Sequence, residues 1–222
     1  MKNKLLIITP VKHIENFEKK INKNFNSTYF PFISRKKLKK IINKFDYLFT
    51  NPNMSKVFID REILFKSKIK AICTASTGVN HIDINYLKKN KIKLISLTKE
   101  KSLIKKLSST AELAFGMTLN SVRNIYLSSQ SVKKGNWTYL PFIGRMMKNL
   151  NICTIGYGRL GKIYAKYCLN FGAKVFTYDP YIKIKNKRVK IIKNLQKELN
   201  RFDVISLNIH ATKTNINFLN KN

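Results

Sequence analysis

With 222 residues and 44% hydrophobic content, the chain can bury one large or two small cores, which excludes a disordered or fibrous protein. No apolar run approaches the ~20 residues that cross a bilayer, and the opening LLIITPV lacks a small-residue cleavage pattern, so it reads as a strand with no membrane partner. The formal charge of +33 invites a nucleic-acid reading, but only seven of the 44 basic residues are Arg and no Arg/aromatic patch accompanies them, so no specific nucleic-acid partner is expected.

In chain order, residues 5–9 read as a first strand, followed by a lysine-rich amphipathic helix over 14–24. Residues 28–32 form a strand that Pro31 confines to an edge. Ser34 is a candidate N-cap for a helix reaching Lys44, and 46–50 is strand again. Asp60 caps a short helix through Phe65, 69–74 is strand, Asp83 caps a helix to Lys89, and 92–96 is the fifth strand. Five strands with helical crossovers predict a parallel α/β domain of flavodoxin-like kind over residues 1–108. Just after its fourth strand, Ser76, Thr77 and Gly78 place small hydroxyl residues around a glycine, where exposed N–H groups suit a carboxylate. An ordinary strand-to-helix turn accounts for the same residues equally well.

Residues 99–107 are polar and lysine-rich without an apolar period, and mark the domain boundary. Ser109 or Thr110 then caps a long helix that ends near Lys134, where Gly135-Asn136-Trp137 breaks it. The apolar run Ile152-Cys153-Thr154-Ile155 predicts a buried parallel strand. It leads into Gly156-Tyr157-Gly158-Arg159-Leu160-Gly161, a G-x-G-x-x-G that opens a helix ended by Gly172. A second strand, 174–178, ends at Asp179, which lies 23 residues after Gly156.

Each position in that stretch has a physical task. Gly156 permits the tight strand-to-helix turn, Gly158 leaves room for a pyrophosphate on the backbone, and Gly161 lets helix and strand pack closely. The helix N-terminus offers N–H groups and a positive dipole end to phosphates, and Asp179 can accept from a ribose diol. A carboxylate there repels a 2′-phosphate, which favours NAD over NADP. Beyond it, 189–192 is a short apolar run, 195–199 a short helix, and 203–207 the third strand of this domain. Residues 109–222 thus read as the first half of a Rossmann NAD-binding domain, truncated after its third strand.

Cys73, Cys153 and Cys168 are unclustered and sit in apolar runs, as buried thiols do. His13, His81 and His210 are scattered, and no His/Cys/acid grouping has metal-ligand spacing, so no metal is expected. The lysines are spread along the chain amid Asn and Ile, which share A- and T-rich codons, so base composition accounts for the charge. The cytoplasm is the expected compartment.

Several of these pieces, in this order, resemble the D-isomer-specific 2-hydroxyacid dehydrogenases, the phosphoglycerate dehydrogenase-like family. They are 76–83 (STGVNHID), 109–114 (STAELA), Gly135-Asn136-Trp137, the 155–161 fingerprint with Tyr178-Asp179-Pro180, and 203–207 (DVISL) with Thr212. The resemblance implies an NAD-dependent oxidoreductase acting on the CH–OH group of a small 2-hydroxy or 2-keto acid, with a homodimeric full-length form. It implies that Arg159 and Leu160 contact the cofactor within the fingerprint, that Asp179 holds the adenosine ribose, and that Ile209, His210 and Thr212 lie on the nicotinamide side. Ser76, Thr77 and Gly78 would line the substrate cleft. Asn80, Asn208 and His210 depart from the usual Asp, His and Pro.

The family's catalytic Arg, acid and His lie further along than residue 222, so no catalytic residue is assigned. A non-catalytic remnant or a nucleotide-binding protein without dehydrogenase activity is the alternative. With the strand at 152–155 central and its fourth-strand neighbour expected to be missing, the reading also predicts a bare sheet edge and an aggregation-prone chain.

Overall fold

Alternating apolar runs and lysine-rich amphipathic stretches become, in the computed structural model, two separate all-parallel sheets. The structure describes residues 2–52, 56–212, 215 and 217–220. The chain divides into two compact units, Met1–Ile104 and Lys105–Asn222.

The first unit contains β1 (Asn3–Ile7), α1 (Phe17–Asn22), β2 (Phe25–Tyr29), α2 (Arg35–Ile41), β3 (Tyr47–Thr50), α3 (Arg61–Leu64), β4 (Ala71–Thr74), α4 (Ile84–Lys89) and β5 (Lys93–Ser96). The sheet order is β2-β1-β3-β4-β5, the flavodoxin-like order; β2 is an edge strand as expected, but it runs over Phe25–Tyr29 and ends before Pro31. β1 ends in the apolar run Leu5-Leu6-Ile7 because both its faces are covered there. Leu6 and Ile8 join a core with Leu38, Leu48, Ile63 and Ile72, while Leu5 and Ile7 pack on the opposite face with Val11. The three anticipated caps are present: Ser34 accepts from the Lys37 N–H (3.3 Å), Asp60 from Ile63 (3.2 Å) and Asp83 from Tyr86 (3.0 Å). Each stabilises its helix by about 1 kcal/mol.

The lysine-rich stretch expected as a connection is helical over α5 (Lys101–Lys106). Lys, Leu and Ile there lack a periodic apolar face, and the good helix formers Lys and Leu suffice for a short turn.

The second unit contains α6 (Ser109–Val122), α7 (Ile125–Lys133), β6 (Asn151–Ile155), α8 (Arg159–Asn170), β7 (Lys174–Tyr178), β8 (Val189–Ile191), α9 (Leu195–Glu198) and β9 (Val204–Leu207). Two readings are corrected, the helix over 109–134 together with its cap, and the strand count. The single long helix is two, because Asn124 adopts left-handed backbone (φ 53°) between α6 and α7. Neither Ser109 nor Thr110 caps it; Ser108 occupies the cap position, its hydroxyl bonded to the Glu112 carboxylate.

The second correction concerns strand count. Residues 189–191 form a strand, so 204–207 is the fourth of this sheet and not the third, in the order β8-β7-β6-β9. β6 is therefore paired on both sides, with Ile152 opposite Val175 and Val204. The bare edge expected at β6 does not exist. The outer strand on that side is β9, on which Leu207 is 50% exposed while the apolar residues of β6 are sealed. Cys153 and Cys168 are buried free thiols, and burial pushes the Cys153 thiol up to about 12.

Candidate functional site

The site is built where β6 ends. Gly156 has φ +89°, which only glycine adopts readily, and its N–H donates to the Tyr178 carbonyl (2.8 Å). A Cβ on Gly156 would lie 2.7 Å from the Asn208 carbonyl oxygen and 2.8 Å from Ile209 Cγ2. A Cβ on Gly161 would fall inside contact distance of the Gly156 carbonyl oxygen, so α8 starts in close contact with the turn. At Gly158, the N-cap of α8, a Cβ would meet nothing within 4 Å. The three glycines thus serve a turn, a tight approach and an open space, each at its anticipated place.

Open space above a twelve-residue helix N-terminus suits an anion, since the first-turn N–H groups lack intrahelical acceptors and the helix dipole is positive there. Arg159 and Leu160 open α8. The Arg159 guanidinium donates to the Leu107 carbonyl, and Leu160 packs on the core of this unit.

Asp179 stands at the end of β7. Its carboxylate accepts from the backbone N–H of Tyr157 (2.7 Å), Tyr181 (2.9 Å) and Ile182 (3.2 Å). It therefore braces the glycine turn. Beside it, a cleft of about 420 Å³ is lined by Tyr178, Leu195, Leu199, Phe218 and polar neighbours including Asn194.

The segment after β9 approaches the turn from the other side. Ile209 packs with Cys153, Ile155 and Phe176, whereas the His210 and Thr212 side chains are exposed. Asn215, which the sequence did not single out, pins this segment: its amide donates to the His210 carbonyl (2.6 Å) and accepts from the Thr212 N–H (2.6 Å). A second unanticipated cluster lies beneath the turn, where Asn208 donates to Thr154 and Ser206. Thr154 is fully buried within an otherwise apolar strand, the kind of buried polar residue that marks a structural or functional demand.

In the first unit, Ser76, Thr77 and Gly78 form the loop after β4. Ser76 Oγ donates to the Gly78 carbonyl (2.7 Å) and shares a hydrogen bond with Thr74 Oγ1 (2.8 Å). Among the described residues the Thr77 and Gly78 N–H groups have no protein acceptor. Thr74 Oγ1 also meets Asn51 Oδ1 (3.1 Å) and His81 Nε2 (3.4 Å), while among the described residues the buried His81 Nδ1 has no partner. Burial lowers the His81 pKa, so the ring is neutral at physiological pH. Among the described residues no group of His, Cys, Asp and Glu could hold a metal, and no helix is long and apolar enough to cross a membrane.

Comparison with known proteins matches this geometry to one family. The family described as D-isomer specific 2-hydroxyacid dehydrogenase matches over residues 6–137 through its catalytic domain and over 115–222 through its NAD binding domain. The D-3-phosphoglycerate dehydrogenase of Archaeoglobus fulgidus is 28% identical, over 85% of this chain and 35% of that protein. The hydroxypyruvate reductase of Thermotoga maritima is 28% identical, over 85% of this chain and 59% of that protein. The chain thus spans between about a third and three fifths of these relatives. A crystal structure of the Aquifex aeolicus D-lactate dehydrogenase, complexed with NAD and lactic acid, superposes with a TM-score of 0.81 at 27% identity, over 98% of this chain and 64% of that one.

Proposed function

The chain belongs to the D-isomer specific 2-hydroxyacid dehydrogenase family, and on that premise we propose that its glycine turn binds NAD for hydride exchange with a small 2-hydroxy or 2-keto acid. One observation carries the reading: the open space at Gly158 over the N-terminus of α8, flanked by glycines whose side chains could not be larger. Gly156, Gly158, Arg159, Leu160 and Gly161 receive the pyrophosphate side, Asp179 the adenosine ribose, and Ile209, His210 and Thr212 the nicotinamide side. The cleft beside Tyr178 suits the adenine. In the first unit, Ser76, Thr77 and Gly78 are the proposed carboxylate cradle, on the strength of two N–H groups without acceptors.

Bound NAD would supply the hydride acceptor or donor; the chain's own residues bind and orient. The second reading is nucleotide binding without turnover. It is favoured by the absence, among the described residues, of any histidine paired with a carboxylate that could move the accompanying proton. A homodimer of the full-length form fits the apolar side chains left exposed in the second unit, among them Leu113, Met117, Tyr126 and Trp137. Three free thiols suit the cytoplasm.

The test is titration of the 222-residue chain with NADH, followed by fluorescence. Wild type is expected to bind, and Gly158→Val to fold normally yet lose binding, because its side chain would occupy the pyrophosphate space. Equal binding by both would sink the assignment. Oxidation of bound NADH by small 2-keto acids separates the two readings.

A further inference from the structure

β9 ends at Leu207, opposite Ile155, but the ladder continues one residue further, with the Asn208 N–H donating to the Ile155 carbonyl (2.7 Å). The Asn208 carbonyl then rests against Gly156, so the glycine turn and the segment leaving β9 touch backbone to backbone. Beneath that contact, Asn208 Nδ2 donates to Thr154 Oγ1 (3.0 Å), to Ser206 Oγ (3.0 Å) and to the Ser206 carbonyl (3.3 Å). Thr154 Oγ1 in turn donates to the Gly156 carbonyl (3.1 Å).

The directions of these bonds are fixed by proton count. Thr154 has one hydroxyl proton, committed to Gly156, so towards Asn208 it can only accept, and the group there must be a donor, which the Asn208 amide N–H supplies. In a trans peptide the carbonyl and the next N–H point opposite ways. The Gly156 carbonyl is held by Thr154, and the Tyr157 N–H on the same peptide is held by Asp179 Oδ2 (2.7 Å). One peptide plane of the glycine turn is thus clamped at both ends, and Asn208 fixes one of the two clamps.

We propose that Asn208 is a positioning residue for the dinucleotide, acting through Thr154 to set the orientation of the Gly156–Tyr157 peptide and its spacing from the segment at 208–212. This rests on the dinucleotide reading above. Thr154 is completely sealed from solvent, so no water replaces a lost donor. The contribution is to geometry at the pyrophosphate and not to the charge of the site, because every member of the chain from Ser206 to Gly156 is neutral.

The experiment measures NADH affinity and thermal unfolding of the full chain for Thr154→Ser, Thr154→Val and Asn208→Asp. Thr154→Ser keeps the hydroxyl and is expected to bind within about twofold of wild type. Thr154→Val and Asn208→Asp are expected to bind about tenfold more weakly, as the loss of a buried hydrogen-bond link implies. A packing role alone would rank the Thr154 variants oppositely, since Val is close to Thr in size and Ser loses a methyl in a sealed site. Equal affinity of the Ser and Val variants, or wild-type affinity in Asn208→Asp, overturns the positioning role alone. Failure of the wild-type chain to bind NADH overturns the dinucleotide reading, and the positioning role with it.

Discussion

The Asp179 carboxylate accepts three backbone N–H groups, from Tyr157, Tyr181 and Ile182, so its removal acts on the protein before any ligand arrives. Asp179→Ala is expected to lower stability by about 1–3 kcal/mol, the cost of leaving partly buried donors without an acceptor. Asp179→Asn keeps the size and one acceptor oxygen but removes the charge that, in the proposed ribose role, would repel a 2′-phosphate. It should lose affinity for NAD while losing less for NADP, narrowing the preference between them. Calorimetry showing equal loss of both cofactors would remove Asp179 from the ribose. The glycines and Asp179 were legible in the sequence because their tasks are local: a turn, an approach and a strand end within one βαβ unit. The bond between Asn208 and Thr154 was not, since it closes across 54 residues of sequence.

Among the elements, the polar contacts that join α6 to α8 are as buried as the apolar ones. The Tyr164 hydroxyl on α8, fully buried, shares a 2.8 Å hydrogen bond with Thr118 Oγ1 on α6, and burial keeps the phenol protonated far above its usual range. Thr118 retains a second bond to the Ala114 carbonyl (3.0 Å). Tyr164→Phe preserves the ring and removes the bond to Thr118, with an expected cost of about 1 kcal/mol in chemical denaturation. A cost near zero would mean that Thr118 is fully satisfied without Tyr164. At this scale the sequence was informative wherever an element announces its own ends. Ser34, Asp60 and Asp83 cap their helices as read, because an N-cap is a side chain bonding three residues ahead. β8 was passed over as a strand because Val189 is its one buried residue, too little to show an alternating pattern. Missing it shifted the strand count and put the open edge on β6 when β9 occupies that side. The split of α6 from α7 was equally hidden, since no glycine or proline lies between Gly116 and Gly135 to mark a break at Asn124.

Across the whole molecule, 44 basic residues face 11 acidic ones, and the net charge of +33 sets how the chain responds to acid and salt. Three acids titrate low: Glu62 is brought to about 2, chiefly by its bond to Arg35, Asp46 is lowered by the Lys4 N–H, and Asp203 by the Asn151 N–H. Each has a folded pKa below its unfolded value, so its stabilisation is present above the unfolded pKa and is lost as pH falls through the folded one. For Glu62 that window runs from 4.5 to about 2, weakened by its exposure. His81 is lowered by burial, so its neutral form favours the fold and that contribution is lost as pH falls below 6.5. Acid should therefore weaken the chain in two stages, His81 first and the carboxylates after, and His81→Asn should remove the first stage alone. Each protonation also adds to an existing positive excess, so salt should raise the melting temperature, and more so at pH 5 than at pH 7. Duplex DNA should do the same at low salt through phosphate contacts, without regard to sequence, and its effect should vanish by ~0.2 M salt. Melting temperatures measured across pH, salt and two unrelated duplexes decide the matter. A melting temperature indifferent to salt would mean that self-repulsion does not limit this fold. A sequence-selective DNA effect persisting at ~0.2 M salt would mean that the lysines form a site rather than a background.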